Sequence, residues 1–235
     1  MGQSIHMPAA EKRRLEQENL KASRINHIID CTFTLFAERG FESITMNEIA
    51  EQAEIGVASL YRYFSTKEDL AIECAIYAWK MEEEIFSDLF VSPDYDELSG
   101  YEQMKILLGI FPRVLSTQEN FFRFMYYFDS FVKKQSITPE RLGHYEDTIV
   151  SLKSVVMRAL EKGRADGSIA FSGDPDYNVS SATDDEMYFT LMHSLFSLAQ
   201  KLALSGNMLN MDRAVTPDRQ LELLIAVMLN SIKAK

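Results

Sequence analysis

Residues 45–67 read TMNEIAEQAEIGVASLYRYFSTK, and the pattern inside them sets the architecture of the chain. Thr45 and Glu48 stand three apart at the head of an apolar run, the spacing of a capping box: the Thr45 hydroxyl accepts from the Glu48 amide while the Glu48 carboxylate reaches back. A short helix is predicted there, with Met46, Ile49, Ala50 and Ala53 on one face. Glu54, Ile55 and Gly56 interrupt it. The next pattern, Val57 to Phe64, lasts two turns at most and places Leu60 and Phe64 inward, four apart. Two short helices joined by about three residues have the dimensions of a helix-turn-helix.

Upstream, Ile25, Ile29, Thr32, Phe33 and Phe36 recur at helical spacing, and Gly40 follows Arg39 as a stop, predicting a helix over 20–39. Residues 1–10 show no periodicity, and His6-Met7 resembles a cloning junction. Residues 1–19 are expected to be disordered or an arm, with Lys12, Arg13 and Arg14 as a basic cluster. Downstream, Ser65 or Thr66 caps a long helix to about Phe90, with Leu70, Cys74, Tyr77, Met81, Ile85 and Leu89 at a 3.6 period. Ser92 to Asp96 reads as a loop. Further helices are expected near 99–116, 119–134, 139–165, Asp184 to Ser205 and Pro217 to Lys233. The expected fold is therefore all-α: a three-helix helix-turn-helix domain at 20–66 followed by a helical domain at 67–235.

Composition agrees. The 235 residues are 46% hydrophobic and 25% charged, an ordinary globular balance, and only ten Gly and six Pro leave little room for turns. The apolar run Leu223 to Leu229 is far short of the roughly 20 residues a bilayer span needs. The first 30 residues show no apolar leader segment. Cys31 and Cys74 are the only cysteines, without a paired motif, so no metal or cofactor is expected and a cytoplasmic protein is. A net charge of -11 argues against bulk electrostatic capture of nucleic acid, so any such binding must come from a local patch.

The block from Ile25 to Leu70, with Ala37-Glu38-Arg39-Gly40-Phe41, Thr45, Ile49-Ala50, Leu60 to Phe64 and Ser65 to Leu70, resembles the DNA-binding region of the TetR (tetracycline-repressor-like) family of transcriptional regulators. Independently of the resemblance, a short helix anchored by Leu60 and Phe64 would present Val57, Ala58 and Ser59 to base edges, with Arg62 reaching a guanine or a phosphate and Gly56 at the head of the same DNA-binding candidate set. The resemblance implies base or phosphate contacts from Tyr61 and Tyr63, and phosphate contacts from Thr45 and Lys67, both at helix starts, where free amides favour an anion. Gly56 stands where family members often carry Ser or Thr, and Ala58 where they often carry Gly. One hydroxyl contact is thus missing, and affinity would lean on Lys12, Arg13, Arg14, Lys21 and above all Arg24. Alone, Tyr61 and Tyr63 would be packing aromatics, Lys67 a solvated lysine and Thr45 a cap.

The resemblance further implies a double-stranded DNA operator, a small-molecule effector of apolar or aromatic character, and a homodimer acting as a repressor. Its effector pocket is expected along Phe111, Phe124, Met125, Tyr127, Phe128 and Phe131, with Met192 and Phe196 opposite, although such a stripe also serves as plain core. Asp129 would attract a cation or pair with Lys133. Leu191, Leu195, Leu198 and Leu202, with Leu221, Leu224, Ile225 and Met228, form two apolar stripes expected to meet their copies in a four-helix interface, or else to fill the chain's own core. The alternative reading is a helical sensor or protein-interaction module with a non-functional DNA domain. Catalytic motifs are missing, Glu140, His144 and Asp147 read as an exposed charged face more readily than as a metal site, and the acidic run Glu82 to Glu84 reads as solvated.

Overall fold

The Thr45 capping box forms as the spacing requires. The Thr45 side chain accepts from the Glu48 amide at 3.2 Å, and the Thr45 amide donates to the Glu48 carboxylate at 2.8 Å. These two bonds satisfy orphan donors at the helix start, and Arg39 locks the carboxylate from the preceding helix at 3.0 Å. All of these hydrogen bonds hold the Glu48 carboxyl below the usual carboxylate range, the backbone donor at Thr45 contributing most.

The computed structural model describes residues 9–90, 93–173, 175–205 and 208–234. Over these residues the chain forms α1 (Ala9–Arg39), α2 (Met46–Gln52), α3 (Val57–Tyr63), α4 (Lys67–Phe90), α5 (Pro93–Glu97), α6 (Gly100–Gly109), α7 (Phe111–Thr117), α8 (Glu119–Lys134), α9 (Gly143–Ala165), α10 (Asp184–Ser205) and α11 (Pro217–Ile232). The fold is all-α; among the described residues the one β-type pairing is an isolated antiparallel bridge between Ile169 and Lys233. No helix among them is long and apolar enough to cross a membrane.

Three elements differ from expectation. Helix α1 starts at Ala9 instead of residue 20, and its first turns are exposed. Its own surface pairs, Lys12 with Glu16 and Arg14 with Glu18, replace the missing apolar face, so the expected arm is a helical extension from Ala9, while residues 1–8 lie outside the described residues. The helix expected over 99–116 divides at Ile110, because Pro112 lacks an amide and fits only the first turn of a new helix. Pro93 likewise starts a short helix, α5, where a loop was expected.

Gly40 ends α1 with φ +71°, its amide bonded to the Phe36 carbonyl at 2.9 Å, and Tyr127 of α8 closes over it. At Gly100 a side chain is excluded by space. A Cβ on Gly100 would lie 2.0 Å from the Gly163 amide nitrogen, so α6 crosses α9 backbone to backbone. The crossing is pinned by Asp166, which accepts from the Gly100 amide at 2.9 Å, and by Ser168, whose hydroxyl accepts from the Tyr101 amide at 3.1 Å.

A single apolar core runs from the helix-turn-helix into the C-terminal helices. Its junction is aromatic: Phe33, Phe36 and Phe41 pack against Phe124, Phe128 and Phe131 of α8, with Phe41 stacked on Phe131 at 4.7 Å and Phe33 on Phe124 at 5.0 Å. Burying each such ring is worth about 1.5–3 kcal/mol. The boundary at residue 66 is thus a change of role along a shared core.

Candidate nucleic-acid interface and ligand cavity

Helix α3 forms without a hydroxyl cap. Gly56 takes the N-cap position in extended geometry (φ -70°, ψ 140°), and its carbonyl accepts from Ser59 at 2.8 Å and Leu60 at 3.1 Å. Leu60 and Phe64 are buried, with α3 packed on α2, while Gly56, Val57, Ala58, Tyr61 and Arg62 are exposed. Ser59 and Tyr63 are half-buried, and Arg62 donates to the Ser59 hydroxyl at 2.8 Å, which holds the guanidinium along the outer face of the helix. Thr45 is exposed at the start of α2, and Arg24 is exposed on α1. The predicted residues are thus exposed or half-buried, but one turns its charged end inward.

The exception is Lys67. Its ammonium turns back into the protein, donating to the Phe41 carbonyl and, at 2.5 Å, to the Ile44 carbonyl, and it lies 5.9 Å from the ring centres of Phe36 and Phe131. Burial lowers its pKa, opposed by the charges of Glu68, Glu48 and Glu42. The side chain ties the α1–α2 loop to α4, and the start of α4 carries Asp69, paired with Arg141 at 2.8 Å. In this structure the Lys67 ammonium is thus held by carbonyls and does not project from the outer surface.

The apolar cavity lies deeper, among α4, α6, α7, α8, α9 and α10, with a volume of about 100 Å³. Phe111, Met192 and Phe196 line it as expected. Phe124, Met125, Tyr127, Phe128 and Phe131 do not: Phe124, Phe128 and Phe131 meet the rings of Phe33, Phe36 or Phe41, Tyr127 covers Gly40, and Met125 is buried in the core. The sequence periodicity placed Phe121 with Phe124, Met125, Phe128 and Phe131 on one face, but α8 is buried on two sides: Phe121 and Phe122 turn to the cavity and the others to the DNA-side core. The remaining walls include Trp79, Leu107, Val114, Leu152, Val156 and Tyr188. Trp79 stacks on Phe196 at 5.4 Å, meets Phe121 edge-on at 5.0 Å, and donates from its indole to the Tyr145 hydroxyl at 3.3 Å.

Glu82 also lines this cavity, one turn beyond Trp79 on α4. It is 1% exposed, not solvated, and burial pushes its carboxyl pKa up to about 7. Sequence reasoning missed it because its neighbour Glu83 is exposed and the run was read as one face. The available signal was the α4 stripe itself: Glu82 lies one residue after Met81 and three before Ile85, on the edge of the apolar face. Asp129 is exposed and bonded to Gln200 of α10 at 3.5 Å, not to Lys133.

The expected dimer residues are also placed differently. Leu191, Leu195, Leu202, Leu221, Ile225 and Met228 are buried within the chain, and Leu198 and Leu224 are half-buried against the same core. Their stripes face each other and α6, α7 and α8, so the inner faces of α10 and α11 complete the core. What α10 and α11 leave exposed includes Phe189, Leu223 and Val227. Glu140, His144 and Asp147 are all exposed, and no group of His, Cys, Asp or Glu among the described residues is arranged to hold a metal.

An outward α3 on a three-helix unit, joined through a common core to a helical body with an internal cavity, defines a helix-turn-helix protein with a small apolar chamber. Residues 28–74 match the family of bacterial regulatory proteins described as the tetR family. The chain is 39% identical over 74 residues to an HTH-type transcriptional regulator of Staphylococcus aureus strain USA300, a match covering 32% of this chain and 38% of that one. The chain thus spans less than two-fifths of the length of the curated relatives it matches. A TetR-family regulator from Agrobacterium tumefaciens shares the fold with TM-score 0.65 at 19% identity, over 91% of this chain and 99% of that one. A transcriptional regulator from Saccharomonospora viridis solved with choline does so with TM-score 0.66 at 16% identity, over 91% and 100%. The ketosteroid transcriptional regulator KstR2 of Mycobacterium tuberculosis has TM-score 0.61 at 17% identity, over 90% and 96%. Residues 28–74 are thus similar to the tetR family of bacterial regulatory proteins, and the chain as a whole shares the fold of these solved regulators.

Proposed function

We propose that this chain is a ligand-responsive transcriptional repressor that binds a near-palindromic operator as a two-fold homodimer and leaves it when a small molecule fills the cavity. The observation that carries the reading is the outer face of α3, where Val57, Ala58, Tyr61 and Arg62 are exposed above a buried Leu60. Such a helix fits a major groove, and a two-fold dimer sets two of them about 34–36 Å apart or a multiple of it. The exposed Phe189, Leu223 and Val227 supply apolar area on α10 and α11 for the second copy. The alternative, a helical sensor with a non-functional DNA domain, is motivated by the net charge of -11 and by the missing hydroxyl at Gly56; against it, α3 forms on Gly56 without a side-chain cap.

Release runs through α8 as well as α4. One side of α8 carries Phe121 and Phe122 into the cavity; the other carries Phe124, Phe128 and Phe131 against Phe33, Phe36 and Phe41. A ligand that moves α8 or Trp79 of α4 also moves the seat of the helix-turn-helix. Ligand and operator then select different conformations, and each weakens the other by the same factor. The relatives solved with choline or named for ketosteroids support a small-molecule role without agreeing on its chemistry.

The test is selection of genomic DNA fragments by the purified protein at near-physiological salt, followed by titration of the best fragment across salt concentrations. Enrichment of one inverted repeat with a steep salt slope is expected. Folded, dimeric protein that enriches nothing, with or without ligands found by thermal-shift screening, overturns the reading.

A further inference from the structure

A carboxylate stands in an apolar cavity without a partner. Glu82 is 1% exposed, and its Oε2 has no hydrogen-bond partner. A leucine at this position would serve the core at no electrostatic cost, whereas a buried carboxylate is expensive unless something pairs with it. Among the described residues lining the cavity there is no Lys, Arg or His to do so. Lys153 of α9 is committed elsewhere, to Asp185 at 2.5 Å and to the ring of Phe189 at 4.7 Å.

The wall around Glu82 is aromatic. Trp79, Phe121, Tyr188 and Phe196 line the same space, and ring faces attract positive charge through their quadrupole. A desolvated carboxylate beside such faces favours a compact positive charge that is itself weakly hydrated. Ammonium groups bearing alkyl or aryl substituents answer that description; a metal ion does not, because the cavity offers one carboxylate and no second oxygen or nitrogen cluster among the described residues.

We propose that the cavity ligand is a lipophilic organic monocation, a tertiary or quaternary ammonium whose charged nitrogen sits against Glu82 and the Trp79–Phe196 stack while its substituents fill the apolar end at Leu108 and Phe111. This rests on the reading of the cavity as the effector site and adds the chemical class. At about 100 Å³ the space is smaller than the roughly 150 Å³ cavity that accepts benzene, so larger cations enter by displacing the flexible Met192. Glu82 carries a pKa raised to about 7 in the empty cavity, so a bound cation holds it ionised and expels its proton below that pH. Of the titratable neighbours, burial raises the Tyr188 and Tyr145 hydroxyls away from neutrality, α6 and α7 contribute apolar lining, and Asp129 of α8, whose carboxyl is also raised by burial, is bonded to Gln200 and does not line the cavity. His193 of α10 is exposed.

Trp79 is the only tryptophan, so its fluorescence reports cavity occupancy directly. The probes are phenyltrimethylammonium and its uncharged isostere tert-butylbenzene, titrated into the full chain and into Glu82→Gln. The expected result is tighter binding of the cation by about tenfold or more in the wild type, with the preference abolished in Glu82→Gln while tert-butylbenzene affinity is unchanged. Wild-type affinity for the permanently charged probe should rise as pH rises through about 7, and the variant should show no such rise. Equal binding of both probes by the wild type, or a preference that survives Glu82→Gln, overturns the cation assignment and leaves the cavity reading standing. Folded protein whose Trp79 signal responds to neither probe overturns both.

Discussion

Glu82 and Arg62 carry the residue-scale consequences. The folded state raises the Glu82 pKa from 4.5 to about 7, so it binds a proton more tightly than the unfolded chain does. Its destabilising contribution is absent below the unfolded pKa, grows between the two values, and is complete above the folded one, reaching on the order of 3 kcal/mol. Glu82→Gln should therefore stabilise the protein by about that amount at roughly pH 8 and leave it nearly unchanged at roughly pH 4, as urea unfolding at the two pH values would show. Equal gains at both would mean that Glu82 is solvated. Arg62 is the opposite case, exposed and held only by Ser59. Arg62→Ala should alter stability by no more than about 0.5 kcal/mol and weaken operator binding by about 1–3 kcal/mol. Unfolding curves and fluorescence anisotropy on a selected operator separate the two effects.

Element scale is set by how helices are pinned to one another. Gly100 lets α6 cross α9 with backbones in contact, and neither Gly163 nor Ala159 has a flexible side-chain end that could retreat. Gly100→Ala should cost about 1–3 kcal/mol or more through overpacking, visible as a lowered Tm, despite the better helix propensity of alanine. Lys67 pins the α1–α2 loop to α4. Lys67→Met would leave the Phe41 and Ile44 carbonyls without the ammonium, for an expected loss of about 1–3 kcal/mol. The salt slope of DNA binding should stay the same. A slope reduced by about one would instead restore Lys67 to the phosphate contact that the family resemblance implied.

For the whole molecule the question is how the outer faces of α10 and α11 are used. Their inner faces are already spent on the core, with Leu195 and Leu221 fully buried, so association must use side chains such as Leu223 and Val227, exposed at 45% and 66%. Val227→Glu should shift a dimer to monomer in sedimentation equilibrium without loss of helix content, and weaken binding to an inverted repeat much more than to a half-site. An undisturbed dimer would place the interface elsewhere. The proposed coupling between the cavity and the helix-turn-helix belongs to this scale too, because α8 belongs to both aromatic clusters at once.

Local chemistry made much of this protein legible in one dimension. The capping box at Thr45, the stop at Gly40, the inward pair Leu60 and Phe64 and the spacing of α3 depend on interactions within a few residues, so periodicity and cap chemistry specify them. The exposed DNA-side residues follow directly, since a two-turn helix anchored on one face has little freedom in what it shows on the other. Features that depend on which helix meets which were not legible. An apolar stripe reports that a face is buried but not its partner; the stripe of α8 was therefore divided between two clusters, and the leucines of α10 and α11 filled their own core. Lys67 and Glu82 are the sharpest cases. Charge in a sequence implies water, and only packing in three dimensions could take the Lys67 ammonium to two carbonyls and leave the Glu82 carboxylate alone among rings.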